Sequence, residues 1–389
     1  MSVKIIEGEK AESLDREEKW RLLSPYLRRH GREALSYATL QGNMEYFIVE
    51  DKGYVAYVSV RHFAFAPRGV KIALVDPVCA VSDYSDVVGA LMEHCRHVVF
   101  VPASKELAQA LRPMGFKFVC VGYEPEIPIQ TYKTKGNWKD LDLIKRARNE
   151  ARRKGVTIRE EPDLSQVDRG QLDAVSQKWL GSKILNDREI WVYARNPVYE
   201  NEPDVRKFVA YDKDGVVAGF AFYDPIYRDG EPRGYAANTS RCDETNFGKL
   251  STAVHMHAAE VFREEGKDVL NLCLAPFDKV DMGEYNDHWI TKTFFKLCRR
   301  YGEGVYNFGG LSFFKSKYRA NEVPKYFASN GLLPHNDVYL AYLSSGIVQS
   351  YFPMLAKFCW GVLTGVANDG LRRIVPGRLS ARRSEKTDG

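Results

Sequence analysis

The chain has 389 residues, of which 44% are hydrophobic, 28% charged and 12% aromatic, with a formal net charge of +5. That composition excludes a disordered or fibrous chain and allows about two or three domains. The seven cysteines form no C-x-x-C and no histidine stands at zinc spacing; no metal site is expected, and cysteines in apolar runs read as small buried hydrophobes of a reducing, cytoplasmic setting.

A helix is expected over Ala11–His30. Two strands, "EYFIVED" and "YVAYVSV", follow around a turn at Asp51-Lys52-Gly53. "VKIALVDPV" is a third strand, apolar enough for burial on both faces. "SDYSDVVGALMEHCR" has helical spacing behind a Ser82 cap, "HVVFVPA" is a strand, "SKELAQALRPMG" a short helix and "FKFVCVG" a strand. The order then recurs. "VRKFVAYDKDGVVAGFAFYDP" is a hairpin and "RGYAANTS" the next strand. The helix "NFGKLSTAVHMHAAEVFREEG" precedes the buried strand "KDVLNLCLAP", the helix "YNDHWITKTFFKLCRRYG" and a closing strand "DVYLAYLSS". Two copies of one αβ pattern resemble tandem acetyltransferase-like (GNAT) domains. The expected divisions are 1–132, 133–345 and a terminal segment 346–389.

Positive charge is unevenly placed. Lys133 to Lys154 holds nine basic side chains against three acids, and Arg372, Arg373, Arg378, Arg382, Arg383 and Lys386 close the chain. In "LDLIKRARNEARRKG", Leu141, Ile144, Ala147 and Ala151 form an apolar stripe, leaving Lys145, Arg148, Arg152 and Arg153 for a broad cationic side. Such a surface suits RNA or lipid phosphates. The terminal stretch "GIVQSYFPMLAKFCWGVLTGVA" is apolar but interrupted by Pro353 and Lys357. With its basic tail, 346–386 reads as a peripheral contact with the inner face of a membrane or as a packed helix.

Three further places carry candidate chemistry. In "ANTSRCDETNFG", where a central strand meets a helix, Ser240, Arg241 and Asn246 offer donors for an oxyanion. In "GGLSFFKSKYR", Lys315 and Lys317 alternate behind two glycines and two aromatics and could grip a phosphate. His255 and His257 stand two apart on a helix, so they point to different faces and read as packing residues. No Walker loop or nucleophilic triad appears. The second copy also lacks the R/Q-x-x-G-x-G/A segment that would indicate coenzyme A, which weighs against an acyl-CoA N-acyltransferase.

"IKRARNEARRKG", "LCLAPF", "FKSKYRANEVPKYF", Val75-Asp76-Pro77 and Trp179-Leu180 with Lys183 following together resemble the C-terminal aminoacyltransferase domain of the lysylphosphatidylglycerol synthase family (DUF2156). The resemblance covers roughly Glu45 to Leu343. It differs at the family's Asp-x-Met-Arg, here Asn238-Thr239-Ser240-Arg241, and at the glycine of "LG", here Cys273. It implies an aminoacyltransferase that takes an amino acid from aminoacyl-tRNA to a hydroxyl, typically on phosphatidylglycerol, without a cofactor. A small hydroxyl or hydroxylamine acceptor is the alternative, as is a non-catalytic RNA-binding protein on a degenerate fold. The expected assignments are Arg241, Asn246 and Ser240 as catalytic, and Lys315, Lys317, Lys183 and Trp179 as substrate-binding. Lys145, Arg148, Arg152 and Arg153 are expected to bind tRNA.

Overall fold

The computed structural model describes residues 2–133, 142–182, 192–302 and 307–346. The first half of the chain runs β1 (Val3–Ile6), α1 (Glu9–Glu12), α2 (Arg16–His30), β2 (Glu45–Val49), β3 (Gly53–His62), β4 (Ala66–Leu74), α3 (Tyr84–His94), β5 (Val98–Ala103), α4 (Lys105–Leu111) and β6 (Lys117–Pro128). The second runs α5 (Asp142–Arg153), β7 (Thr157–Glu160), α6 (Arg169–Gly181), β8 (Arg206–Tyr211), β9 (Val217–Arg228), β10 (Glu231–Cys242), α7 (Glu244–Phe247) and α8 (Leu250–Glu264). It ends with β11 (Val269–Asn271), β12 (Ala275–Pro276), α9 (Trp289–Tyr301), α10 (Phe308–Ser316), β13 (Asn321–Ser329) and α11 (Pro334–Ser344). This is the repeated α/β pattern of the tandem acetyltransferase-like fold, with α5 as the basic helix between the copies.

The opening helix is broken. Asp15 caps α2 with a reciprocal capping box to Glu18, so the chain restarts there rather than running from Ala11. Ser82 lies in a short 3-10 turn and does not cap α3. "DVYLAYLSS" is not a strand but α11, opened by Pro334 in its first turn. The closing strand is instead β13, upstream.

All strands join one 13-stranded sheet in the order β1-β2-β3-β4-β5-β13-β6-β11-β10-β9-β8-β7, with β12 attached to β6. The last strand of each half has crossed over. β13 pairs with β5 of the first half, and β6 pairs with β11 of the second. β13 and β6 also pair with each other from Asn321↔Glu126 to Ser329↔Lys117. The two halves therefore share a hydrogen-bonded seam. α3 and α4 cover one face of the first half, burying Val87, Leu91, Leu107 and Leu111 on Phe100 and Phe118. α8 covers the second half, burying Val254, Ala258 and Phe262 with Ile144 of α5 on Phe208 and Tyr223.

Candidate active site at a gap in the sheet

β10 and β11 run parallel and pair from Gly234↔Val269 to Ala236↔Asn271, and there the pairing stops. Two local features part them. β10 shifts register against β9 between Ala236 and Thr239, which re-aims its last turn of side chains. After β11 the chain turns sharply: Cys273 takes a left-handed φ of 60°, and its N–H donates to Asn271 Oδ1 at 2.7 Å. The second half of β10 thus diverges from Leu272–Leu274, with the Cys273 thiol donating to the Ala237 carbonyl at 3.6 Å across the start of the gap.

Lys315 enters from α10. It is buried, and its Nζ donates to the carbonyls of Cys273 (2.9 Å) and Leu274 (2.7 Å). An ammonium carries three N–H groups, so one has no acceptor among the described residues. Burial pushes this lysine down to about 8. Lys317, at the end of α10, lies 3.8 Å from the centre of the exposed Phe313 ring. The pair read together from the sequence is therefore split into one buried and one half-exposed cation. "GGLSFFKSKYR" is helix, not loop, through Ser316.

Arg241 is buried on the opposite face of the sheet, its guanidinium 5.3 Å from the centre of the Trp179 ring on α6. Side chains alternate along a strand, and Ser240 accordingly lies beside Cys242 on the α8 face. Asn246 is exposed at the end of α7, where its Nδ2 donates to Asp243 Oδ2 at 2.8 Å and its carbonyl accepts from Lys154. Asp243 in turn pairs with Lys178 at 2.6 Å. The three donors expected to act together are thus on two faces and a helix end. Trp179 is with Arg241; Lys183 lies outside the described residues.

Two buried ionic groups were not read from the sequence. Arg195 is paired with Asp224 and Glu202, and Asn238 Nδ2 donates to the other oxygen of Asp224 at 2.7 Å. Lys325 on β13 pairs with Glu33 and lies 3.7 Å from Glu124. Burial works against the charge on Glu33, but Lys325 outweighs it and holds the carboxyl below its usual range. Asn271 Nδ2 continues the line, donating to Glu124 Oε2 at 2.9 Å. A buried polar chain thus crosses the seam toward the gap. The signal that could have found these groups is an acid before proline in an apolar strand: Tyr123-Glu124-Pro125 and Tyr223-Asp224-Pro225.

On α5, Ile144 and Ala147 are buried as the stripe requires, and Leu141 lies outside the described residues. Arg148 donates to Glu260 of α8 at 2.6 Å and so pins the helix. Arg152 and Arg153 are exposed, Lys145 half-buried. His255 is buried and bonded to the Tyr223 hydroxyl at 2.8 Å; burial pushes it down to about 4, so it is a neutral core residue. Among the described residues no group of acids, histidines and cysteines could hold a metal ion, and no helix is long and apolar enough to cross a membrane.

This fold is shared with solved structures. The structure of L-PGS from Bacillus licheniformis aligns with a TM-score of 0.69 at 21% identity, covering 88% of this chain and all of that one. The C-terminal DUF2156 domain of a putative lysylphosphatidylglycerol synthetase from Agrobacterium fabrum aligns at 0.65 and 22%, over 87% of this chain. The family described as "Phosphatidylglycerol lysyltransferase, C-terminal" matches residues 24–329, and the chain belongs to that family. The phosphatidylglycerol lysyltransferase of Bacillus subtilis is 24% identical over 234 residues, 59% of this chain. An uncharacterised protein of Corynebacterium glutamicum is 23% identical over 302 residues, 75% of this chain. The chain spans 36% of the length of the Corynebacterium relative and 26% of the Bacillus one.

Proposed function

We propose that this chain moves an aminoacyl group from a charged tRNA to a hydroxyl of phosphatidylglycerol, and that the gap between β10 and β11 is where the exchange occurs. The observation that carries this reading is the buried Lys315, with two N–H groups fixed on carbonyls and a third without an acceptor among the described residues. Family membership supplies the reaction class.

The chemistry is an ester exchange. The acceptor hydroxyl oxygen bonds to the aminoacyl carbonyl carbon, the bond to the ribose oxygen breaks, and the hydroxyl proton ends on that ribose oxygen. No cofactor is consumed. The donor ester is already activated, so the protein must align the two reactants and stabilise the developing oxyanion. Lys315 suits the second of these roles, being preorganised, desolvated and able to present one N–H. Two of its protons are held by backbone carbonyls, which suits a single oxygen better than a whole phosphate. Arg241, held against the Trp179 ring, suits the phosphodiester of the lipid. Lys317 and Lys183 are assigned to substrate binding. Ser240, beside Cys242 on the α8 face, and Asn246, bonded to Asp243 at the end of α7, are assigned supporting roles. Lys145, Arg152 and Arg153 on α5 offer a surface for the tRNA acceptor arm, and Arg148 orients that helix through Glu260.

The test is transfer of labelled amino acid from charged tRNA into the organic phase with phosphatidylglycerol vesicles. Lys315→Gln should lower the single-turnover rate by about 10²–10³ while tRNA affinity is kept. An unchanged rate removes Lys315 from the reaction, and label in an aqueous product instead assigns a small acceptor.

A further inference from the structure

The three most exposed large apolar side chains among the described residues are Phe63 (86%), Leu332 (85%) and Trp289 (74%). They come from distant parts of the sequence, yet the topology brings them to one end of the sheet. β3 ends there and β4 begins; β5 runs parallel to β4 and begins there. β13, antiparallel to β5, ends there, and β6, antiparallel to β13, begins there. Phe63 caps the β3–β4 hairpin, Leu332 and Leu333 join β13 to α11, and Trp289 and Ile290 open α9.

The loops that carry these residues are pinned. His62 stacks on Phe63 (4.8 Å) and on Phe65 (4.9 Å), and meets Tyr339 of α11 edge-on at 5.7 Å. Asn330 accepts from the Val98 N–H and donates to the Arg96 carbonyl, both at 2.9 Å. His335 stacks on His288, which caps α9 beside Trp289. The apolar tips are therefore held outward, not folded back over the core.

Around them stand Arg61, Arg68, Arg96 and Lys117, which make no ion pair with any described residue. The acids nearby are largely engaged. Glu7 is bonded to Lys71, Asp287 to Arg112 and Asp337 to His97. Glu93, exposed in the last turn of α3, is the opposing charge. Separate aromatic and aliphatic points set among unpaired cations do not make a smooth face for a packed protein partner. They fit a soft, negatively charged interface, where Trp and Phe enter the boundary and Arg and Lys meet the headgroups.

We infer that this rim is a docking surface for an anionic lipid bilayer. The inference rests on the lipid-acceptor reading for its choice of occupant. It also gives that reading a geometry. β10 and β11 run toward the same end of the sheet as the rim. From Glu124 beside the gap to Lys117 at the rim, β6 spans seven residues, roughly 20–25 Å. Along that distance β6 is flanked by β13 on one edge and by Ala275 to Asp287 on the other.

Binding and turnover are read separately on the full chain. The binding probe is flotation with vesicles of phosphatidylglycerol and phosphatidylcholine in equal parts at low salt. The wild-type chain should float and be released by salt. Phe63→Ser, Leu332→Ser and Trp289→Ser combined should lower partitioning by tenfold or more. Arg61→Gln with Arg68→Gln should lower it roughly thirtyfold and flatten the salt dependence. Val81→Ser, at the opposite end of the sheet, should float like wild type. Thermal melts accompany each variant, and if the triple variant fails to fold, the surface charge pair decides. A wild-type chain that stays with the unbound protein overturns the inference. So does a triple variant that floats unchanged, which would assign binding to residues 346–386. A rim substitution that only dissociates a dimer overturns it in favour of a second copy. Transfer to detergent-dispersed phosphatidylglycerol, measured in parallel, should survive the rim substitutions. Its absence in a chain that still floats by the rim would remove the acceptor reading and leave the docking surface.

Discussion

The two halves of the sheet contain the same junction, a parallel pair of strands that part at their ends, and they treat it differently. In the first half β4 and β5 pair as far as Leu74↔Val101. The space beyond is closed by the protein's own polar groups. Asp76 accepts from the Ser104 N–H (2.9 Å), the Ser104 hydroxyl and the Tyr84 hydroxyl (3.0 Å). Burial and the neighbouring Glu33 push the Asp76 carboxyl well up, and it serves to hold the start of α4. In the second half, β10 is bulged, β11 is three residues long, and Lys315 retains an N–H with no described acceptor. A junction whose donors and acceptors satisfy one another is structural. One that leaves a buried donor open among the described residues is the one the proposed reaction would use.

The strongest way to break this contrast is to cut the polar chain between the two junctions. Lys325→Ala would leave Glu33 and Glu124 buried without their cation. It should cost about 3–5 kcal/mol in urea unfolding. A loss under about 1 kcal/mol would mean the seam does not depend on that charge. Next in size is Arg241→Ala. If the guanidinium holds the lipid phosphodiester, kcat/KM for phosphatidylglycerol should fall about tenfold to a hundredfold while tRNA affinity holds. Equal losses in both would mark it as a folding residue.

Arg152→Ala with Arg153→Ala tests the helix between the halves. It should weaken tRNA binding across all salt concentrations and reduce the log–log salt slope by roughly 2. An unchanged slope would take the tRNA off α5. The smallest effect is expected in the closed junction. Tyr84→Phe removes one hydrogen bond to Asp76 and should cost roughly 0.5–1.5 kcal/mol of stability with no change in transfer rate. A rate loss there would blur the distinction between the junctions.

Much of this architecture was legible from local pattern. The hairpin over 206–228, α8 and the basic α5 follow from alternation, helical spacing and charge. The seam was not legible, because β13 reaches β5 across more than two hundred residues and no local signal specifies that partner. Its own sequence also argues against it: "NEVPKYFAS" carries Pro324 and Lys325. The proline is tolerated because it pairs with Tyr123 on β6, while pairing with β5 begins only at Tyr326. "DVYLAYLSS" misled in the opposite direction, since a short run of Val, Tyr and Leu fits a buried strand and a buried helix equally. At the site, Trp179, Arg241 and Lys315 were named from motif and resemblance. Their separation onto two faces around a gap depends on the β10 register shift and the Cys273 turn, which residue identity does not encode.

Everything assigned to the second junction turns on the charged Lys315 ammonium serving the reaction. Its ordinary value is 10.5, and burial brings it to about 8. A depressed lysine is protonated below that value and neutral above it, so an N–H donor role is lost as pH rises through about 8. A role as proton acceptor would instead be gained. The most direct measurement is the single-turnover rate of transfer from charged tRNA to phosphatidylglycerol, corrected for spontaneous ester hydrolysis, from about two pH units below that value to about two above. A donor role predicts a plateau at low pH and a fall through about 8. A rate that climbs through that range, or stays flat, would contradict it.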